Sequence, residues 1–328
     1  AKRAPMAPGQ EQQAQATRDA LLKACRSTEH DRVIISGEGM SSLSGDDLEG
    51  LKSFLREAGA EQIKVLAWVR APRSFMESQL QQHLKRDVTY EFPWPNYRRR
   101  FEKFERVFGR ENTTLLNFDP PSFADRCAVT EFCARVDVAR PAEVVRNNES
   151  LSHDGAALMF VYHHVRRTIL GRANAVGEGA TGFAVRRLTA GLEGPRLRLS
   201  AQVARAIWQA HAGDVAWVAE RLDKPFDESP ESYRDEHAAA ISDVSDLLRL
   251  SETALAHLRK LGLPEPASSS GTATYVAYGV AIQNWLQQRA ASGAPAVARV
   301  PRVAGKRAAV ALPRVRTCGR ARTPEAIA

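Results

Sequence analysis

The sequence has few cysteines and no long hydrophobic run. Its four cysteines, Cys25, Cys127, Cys133 and Cys318, form no Cys-x-x-Cys pair, which argues against a disulfide framework or a zinc knuckle. The apolar run Ala156–Tyr162 ends at two histidines and falls far short of the roughly 18–20 residues that a membrane-spanning helix needs. We therefore expect a cytoplasmic protein with reduced thiols and no transmembrane segment.

The composition is that of a folded protein. Hydrophobic residues make up 44% of the 328 residues and charged residues 26%, so a disordered or collagen-like chain is excluded. This length suits one large α/β domain or two small domains.

The net charge of +8 is concentrated at the C-terminus. Eight arginines and lysines lie between Arg299 and the end of the chain against the single acid Glu325, so this part carries +7 and the remaining 298 residues about +1. The tail, residues 294–328, is rich in Ala, Pro and Val and has no regular period, which is typical of a solvated, disordered segment. A tail that binds an acidic partner is the alternative. The high isoelectric point is therefore weak evidence for nucleic-acid binding.

Strands and helices alternate in pattern from residue 33 to about residue 136. Nearly continuous apolar or β-branched runs predict strands at Val33–Ser36, Ile63–Val69 and Thr113–Phe118. Apolar stripes at helical spacing predict helices at residues 11–28, 72–86, 96–108 and 124–136 and from Ser44 onward. This alternation predicts an α/β fold with a parallel sheet flanked by helices.

Beyond residue 136 the sequence is mainly helical in pattern. Helices are predicted at residues 152–170, 198–211, 213–222, 241–261 and 275–288. Lys-Pro and Ser-Pro pairs within residues 223–235 indicate a linker. We therefore divide the chain into an α/β domain (1–225), a helical extension (226–293) and the basic tail (294–328).

A candidate anion site lies where the second predicted strand meets the following helix. Arg70 ends the strand, Pro72 begins the helix, and Ser78 lies nearly two turns into it. In an open parallel sheet ligands bind outside the carboxyl ends of the strands, and the free N–H groups of a helix N-terminus favour an anion there. A guanidinium and a hydroxyl in these positions could hold one phosphate. The alternative is that Arg70 pairs with a surface acid and Ser78 has no ligand.

The segment from Arg70 to Ser78 resembles the 3′-phosphate-binding element of the PAPS-dependent sulfotransferases (PAPS is 3′-phosphoadenosine 5′-phosphosulfate). In that family an Arg at a strand end and a Ser eight residues later hold the 3′-phosphate of the donor, and both residues match in type and spacing. The segments Ile34–Gly39 and Asn148–Ser152 also resemble bacterial sulfotransferase-like proteins. The resemblance covers roughly residues 15–225 and implies a P-loop-type parallel sheet.

The resemblance implies an enzyme that transfers a sulfuryl group from PAPS, its co-substrate, to an acceptor hydroxyl or amine, of which a carbohydrate is one option. No metal is implied. The reaction needs a base to deprotonate the acceptor, and Glu38 is the candidate because it follows the end of the strand predicted beside that of Arg70. The alternative is that Glu38 is a turn residue in a Gly-Glu-Gly bend.

The family's defining loop has no counterpart in the sequence. A turn of the Lys-x-Gly-Thr-Thr type, which binds the 5′-phosphosulfate, is expected upstream of residue 30 and is absent. Gly177–Gly182 fits Gly-x-Gly-x-x-Gly but follows a helix rather than a strand, so we interpret it as a connection. Either the chain begins after the loop, as an initial Ala1 favours, or it is a degenerate, non-catalytic relative that acts as a binding protein. A different nucleotide-dependent transferase is the third option.

Two further groups of residues admit two interpretations each. Tyr90, Phe92 and Trp94 either form a lid over the acceptor or anchor their own loop. His163 and His164 lie on an apolar helix without a carboxylate at ligand spacing, which favours core packing over metal binding.

Overall fold

The structure is a computed structural model of the chain. It describes residues 9–26, 32–86, 92–144, 150–168, 188–189, 192–235, 240–248, 250–263, 279–282, 284 and 288. The chain divides into two compact units, unit 1 (Ala1–Ile63 with Val297–Ala328) and unit 2 (Lys64–Ala296). The predictions for the basic tail, for Gly177–Gly182 and for most of the helix at 275–288 lie outside the described residues.

The described part of unit 1 is helical. It contains α1 (Gln10–Cys25), a 3-10 turn (Glu38–Ser42) and α2 (Gly45–Glu57). As the sequence predicts, Ser44 starts this helix: it is the capping residue before α2, and its hydroxyl accepts a hydrogen bond from the backbone N–H of Asp47 (3.1 Å). The Asp47 carboxylate in turn accepts one from the Ser44 N–H (3.2 Å), which completes a capping box. Arg18 of α1 forms an ion pair with Glu57 at the end of α2.

The predicted strand at Val33–Ser36 is wrong. These residues form no strand, and Val33, Ile34 and Ile35 are 51%, 41% and 41% exposed. A β-branched run becomes a buried strand only when a neighbouring strand supplies backbone partners and its faces are covered. The described residues of unit 1 contain no strand that could pair with this segment, so it has no regular secondary structure.

Unit 2 has a mixed α/β fold that is rich in helices and contains small parallel sheets. In the described residues its α-helices and strands are, in chain order, β1 (Val65–Val69), α3 (Pro72–Arg86), α4 (Tyr97–Phe108), β2 (Thr113–Asn117), α5 (Ala128–Arg135), α6 (His153–Thr168), β3 (Arg198–Leu199), α7 (Ala201–Ala210), α8 (Ala212–Ala219), β4 (Ala240–Ile241) and α9 (Glu252–Lys260). This confirms the coarse α/β class that the alternation of strands and helices predicts.

Among the described residues of unit 2, the sheets are two-stranded and parallel. β1 and β2 pair in a register that runs from Val65 opposite Thr113 to Val69 opposite Asn117, and β3 pairs with β4. The backbone N–H of Phe118 extends the first ladder by donating to the carbonyl of Val69 (2.8 Å). Because the pairing is parallel, the two carboxyl ends meet at one edge, and Arg70 and Phe118 leave the sheet there together.

Helix α6 lies within the core of unit 2. All residues of its apolar run, Ala156–Tyr162, are at most 5% exposed, because the helix packs against α3, against α9 and against a 3-10 turn at Val244–Leu248. Met76, Leu80 and Leu84 of α3 are fully buried, since a spacing of four residues places them on one helix face. Within the described part of the chain, no helix has the length and apolarity that crossing a lipid bilayer requires.

Residues 241–261 do not form the single long helix that the sequence predicts. β4 and a 3-10 turn come first, and α9 begins only after Ser251, whose hydroxyl accepts a hydrogen bond from the N–H of Ala254 (3.2 Å). The Asp246 carboxylate accepts a hydrogen bond from the backbone N–H of Ser242 (2.8 Å). Polar side chains that form hydrogen bonds with nearby backbone groups compete with the backbone hydrogen bonds of a helix. The spacing of apolar residues in the sequence does not reveal this competition.

Residues 223–235, which the sequence predicts to be a linker, make hydrogen bonds with α7. Tyr233 is 3% exposed, and its backbone carbonyl accepts a hydrogen bond from the guanidinium of Arg205 (2.6 Å). The Asp235 carboxylate accepts one from the N–H of Ala201 at the start of α7 (2.6 Å). The proline pairs predicted the irregular backbone of this segment correctly, but they carry no information about what its side chains contact.

The N-terminus of α4 is capped from another helix. Asn96, the residue before α4, has a left-handed φ of 52° and makes no capping bond with its side chain. Asp214 of α8 instead accepts hydrogen bonds from the backbone N–H groups of Tyr97 (2.9 Å) and Arg98 (2.8 Å). Its Oδ2 also accepts one from the indole N–H of Trp94 (2.6 Å). A carboxylate in this position satisfies free donors and complements the helix dipole, so it joins α8 to α4.

Replacing Asp214 should destabilise unit 2. We expect Asp214→Ala to lower the free energy of unfolding by about 1–3 kcal/mol, because two helix N–H groups and an indole N–H lose their acceptor. Urea denaturation followed by circular dichroism measures the change, with Glu49→Ala at an exposed carboxylate of α2 as the matched control. A chain with Asp214→Ala that is as stable as the control would contradict this role.

Candidate functional site

Arg70 lies at the carboxyl end of β1, directly after the strand. Its backbone carbonyl accepts a hydrogen bond from the hydroxyl of Tyr97 (2.7 Å), and burial raises the pKa of that hydroxyl, which therefore remains a donor. The Arg70 guanidinium lies over the ring of Phe118, 4.5 Å from the ring centroid. The half-buried Arg70 side chain thus lies at the sheet edge where ligands of parallel α/β proteins bind.

Ser78 lies in the second turn of α3 and is half-buried. The helix begins at Pro72, whose fixed φ suits the first helical position. The buried side chain of Met76 marks the face of the helix that packs into the core. Arg70 and Ser78 therefore lie on consecutive elements, a strand end and the helix that follows it. Their joint binding of a phosphate stays a prediction.

Glu38 lies in unit 1, at the start of the 3-10 turn, and is exposed. Because the residues before it form no strand, the argument that it follows a strand end beside that of Arg70 is wrong. Its local geometry is that of the alternative, a bend: Gly37 is extended, and its carbonyl accepts a hydrogen bond from the N–H of Met40 (3.2 Å). The assignment of Glu38 as the base stays a prediction and loses its structural argument.

A buried charge cluster that was not predicted from the sequence lies at the start of α3. Arg73 and Glu77 are 8% and 6% exposed, and Arg73 Nε lies 3.2 Å from Glu77 Oε1. The Glu77 carboxylate also accepts hydrogen bonds from Arg198 (2.9 Å) and from the N–H of Leu199 (3.0 Å). Arg73 donates to the carbonyl of Leu199. These bonds attach α3 to β3.

Glu228 completes the cluster by capping α3. Its Oε2 accepts hydrogen bonds from the backbone N–H of Arg73 (3.1 Å) and from the hydroxyl of Tyr233 (3.1 Å). The sequence predicts that free N–H groups at this helix start face an anionic ligand. For the Arg73 N–H that prediction is wrong, because a carboxylate of the chain itself accepts its hydrogen bond.

Burial raises the pKa of both carboxyls in this cluster. For Glu77, burial outweighs the opposing effects of Arg198, the Leu199 N–H and Arg73. For Glu228, burial outweighs the two hydrogen bonds that it accepts, and the nearby charge of Glu77 acts in the same direction as burial. Both side chains therefore hold a proton more tightly than an exposed glutamate does.

One local signal pointed to this cluster. Arg73 and Glu77 are four residues apart and fall on the same face of α3 as the buried Leu80, so an ion pair inside the core was readable from helical spacing. Glu228 had no such signal, because it lies 155 residues from Arg73 in a segment without regular structure.

The aromatic loop and the buried histidine have structural roles. Trp94 is 8% exposed and stacks on His211 with ring centroids 4.3 Å apart, so it anchors its loop, while Tyr90 lies outside the described residues. His163 is 3% exposed and lies edge-on to Tyr162, 5.0 Å between centroids, which confirms core packing. In the part of the chain that the structure describes, no three His, Cys, Asp or Glu side chains are placed to hold a metal ion.

No protein-family model, curated protein or solved structure matches this chain. The residues themselves are therefore the evidence for a function. The segment from Arg70 to Ser78, which begins at the carboxyl edge of β1 and β2, provides that evidence.

Replacing Glu228 by Gln should change how the stability of the chain depends on pH. Because the folded chain holds the Glu228 proton more tightly, this group's contribution to stability is fully present below its ordinary pKa of 4.5 and is lost as the pH rises through the raised pKa. We therefore expect the free energy of unfolding of the wild type to fall, relative to that of Glu228→Gln, as the pH rises from 4.5 to neutrality.

Urea denaturation at the two ends of this pH range measures the difference. Glu61→Gln, at an exposed carboxylate of unit 1, is the matched control and should follow the wild type. If wild type and Glu228→Gln show the same pH dependence, the pKa of Glu228 is not raised in the folded chain.

Proposed function

We propose that this chain is a sulfotransferase-like protein that binds PAPS at the carboxyl edge of β1 and β2. The observation that carries the proposal is the position of Arg70, which ends a parallel strand immediately before a helix and whose guanidinium lies over Phe118. Ser78 follows in the second turn of that helix. In this proposal the two side chains hold the 3′-phosphate of the donor by charge-assisted hydrogen bonds, on a P-loop-type sheet.

The proposed reaction is the in-line transfer of a sulfuryl group. A hydroxyl oxygen or amine nitrogen of the acceptor, for example on a carbohydrate, forms a bond to the sulfur of PAPS while the bond from sulfur to the phosphate oxygen breaks. The products are the sulfated acceptor and adenosine 3′,5′-bisphosphate. The acceptor's proton passes to a base, and donors around the departing phosphate stabilise its charge.

A non-catalytic binding protein is the second candidate function. The position of Glu228 favours it, because the Arg73 N–H at the start of α3 already donates to a carboxylate and is not open to a phosphate. In this case the sheet serves as a scaffold, and the chain recognises a partner through another surface, such as the basic tail with an acidic partner.

Calorimetric titration with adenosine 3′,5′-bisphosphate distinguishes the two functions. We expect Arg70→Ala to bind it at least about tenfold more weakly than the wild type. The reason is that a hydrogen bond to a charged group contributes about 1.5–3 kcal/mol, and about 1.4 kcal/mol corresponds to a factor of ten. Ser78→Ala should weaken binding as well. Adenosine 5′-monophosphate, which lacks the 3′-phosphate, should bind equally to wild type and Arg70→Ala.

The matched control is Arg106→Ala, which removes an exposed arginine of α4 and should bind like the wild type. A folded wild-type chain that does not bind the bisphosphate would overturn the proposed nucleotide site and favour the binding protein. Equal affinities for wild type and Arg70→Ala would exclude Arg70 from the site.

A further inference from the structure

Phe118 and Arg70 form a pair at the edge of the sheet. Phe118 directly follows β2 as Arg70 directly follows β1, and the hydrogen bond from the Phe118 N–H to the Val69 carbonyl (2.8 Å) keeps the two strand ends in register. The Arg70 guanidinium carbon lies 4.5 Å from the centroid of the Phe118 ring. This distance is well inside the range of about 6 Å over which an aromatic face attracts a cation.

Both partners of this pair are held by other residues. The Phe118 ring contacts Phe123 in an edge-on arrangement, with centroids 5.6 Å apart and an interplanar angle of 82°, and Phe123 is 8% exposed. The carbonyl of Arg70 accepts the hydrogen bond from Tyr97 (2.7 Å). The ring is therefore a fixed platform, and the Arg70 backbone is fixed beside it.

A long arginine side chain loses rotamer freedom when it binds an anion, and this loss weakens binding unless the side chain is already restrained. An aromatic ring restrains the guanidinium through its flat face, whereas the N–H donors point outward in the guanidinium plane. Contact with a ring and donation to a phosphate are therefore compatible.

From this geometry we infer that Phe118 is a positioning residue: its ring holds the Arg70 guanidinium at the carboxyl edge of the sheet, oriented to bind a phosphate group. The inference rests on the proposed function, since the phosphate is the 3′-phosphate of the nucleotide. It adds that the strength of binding depends on a residue of the neighbouring strand end, which does not itself contact the ligand.

A double-mutant cycle with adenosine 3′,5′-bisphosphate tests the inference. Phe118→Leu should weaken binding by about three- to tenfold when Arg70 is present, which corresponds to the usual strength of a partly buried cation–π contact. In an Arg70→Ala background Phe118→Leu should have no effect, because the ring acts only through that guanidinium. Phe118→Tyr keeps the aromatic face and should bind like the wild type.

Phe75→Leu is the control for the loss of a half-buried ring that contacts an arginine. The guanidinium carbon of Arg100 lies 4.9 Å from the centroid of the Phe75 ring. Any effect of Phe75→Leu on binding should be the same with and without Arg70. If Phe118→Leu weakens binding equally in both backgrounds, or does not weaken it, the inference is overturned.

A ligand-free measurement separates this inference from the proposed function. In NMR spectra, the Nε–Hε signal of Arg70 can be assigned by its loss in Arg70→Ala, and the ring current of Phe118 should shift it. The signal should change position in Phe118→Leu and keep its position in Phe118→Tyr. If the folded wild type does not bind the bisphosphate, the proposed function fails. The Arg70 signal then tests by itself whether the Phe118 ring restrains the guanidinium. A signal that Phe118→Leu leaves in place overturns the inference.

Discussion

The parallel pairing of β1 with β2 is the constraint on which the candidate site depends. The register from Val65 opposite Thr113 to Val69 opposite Asn117 brings both strand ends to one edge, so that Arg70 and Phe118 meet there although they are far apart in sequence. A slip of one residue would send the side chains of a strand to the opposite faces of the sheet. The contact between Arg70 and Phe118 at this edge therefore depends on the register of the two strands and not on either strand alone.

The buried charge cluster orients the helix that leaves this edge. Arg73 and Glu77 are removed from water, which costs free energy. Their ion pair with each other and the hydrogen bonds that Glu77 accepts from Arg198 and Leu199 offset that cost. Glu228 caps the same helix from a distant segment. The direction of α3, and with it the position of Ser78, thus depends on residues that follow it by more than a hundred positions.

Two arginines three residues apart therefore differ in role. Arg70 reaches the edge of the sheet, with its guanidinium on an aromatic ring, whereas Arg73 turns inward and bonds to Leu199 and Glu77. The sequence places Arg70 at the end of a strand and Arg73 in the first turn of α3, but it does not show that Arg73 turns inward. What separates them is that Arg73 shares the face of α3 that packs into the core.

Local patterns in the sequence determined the capping box of α2, the start of α3 at Pro72, the buried run Ala156–Tyr162 and the positions of β1 and β2 along the chain. Each of these depends on residues a few positions apart, so spacing and residue type suffice. Only the tertiary structure decided that Val33–Ser36 is exposed and that Asp214 and Glu228 cap helices far from them in sequence. The physical reason is that burial and a carboxylate's hydrogen bonds are set by whichever distant segment packs beside it, and no local period encodes that choice.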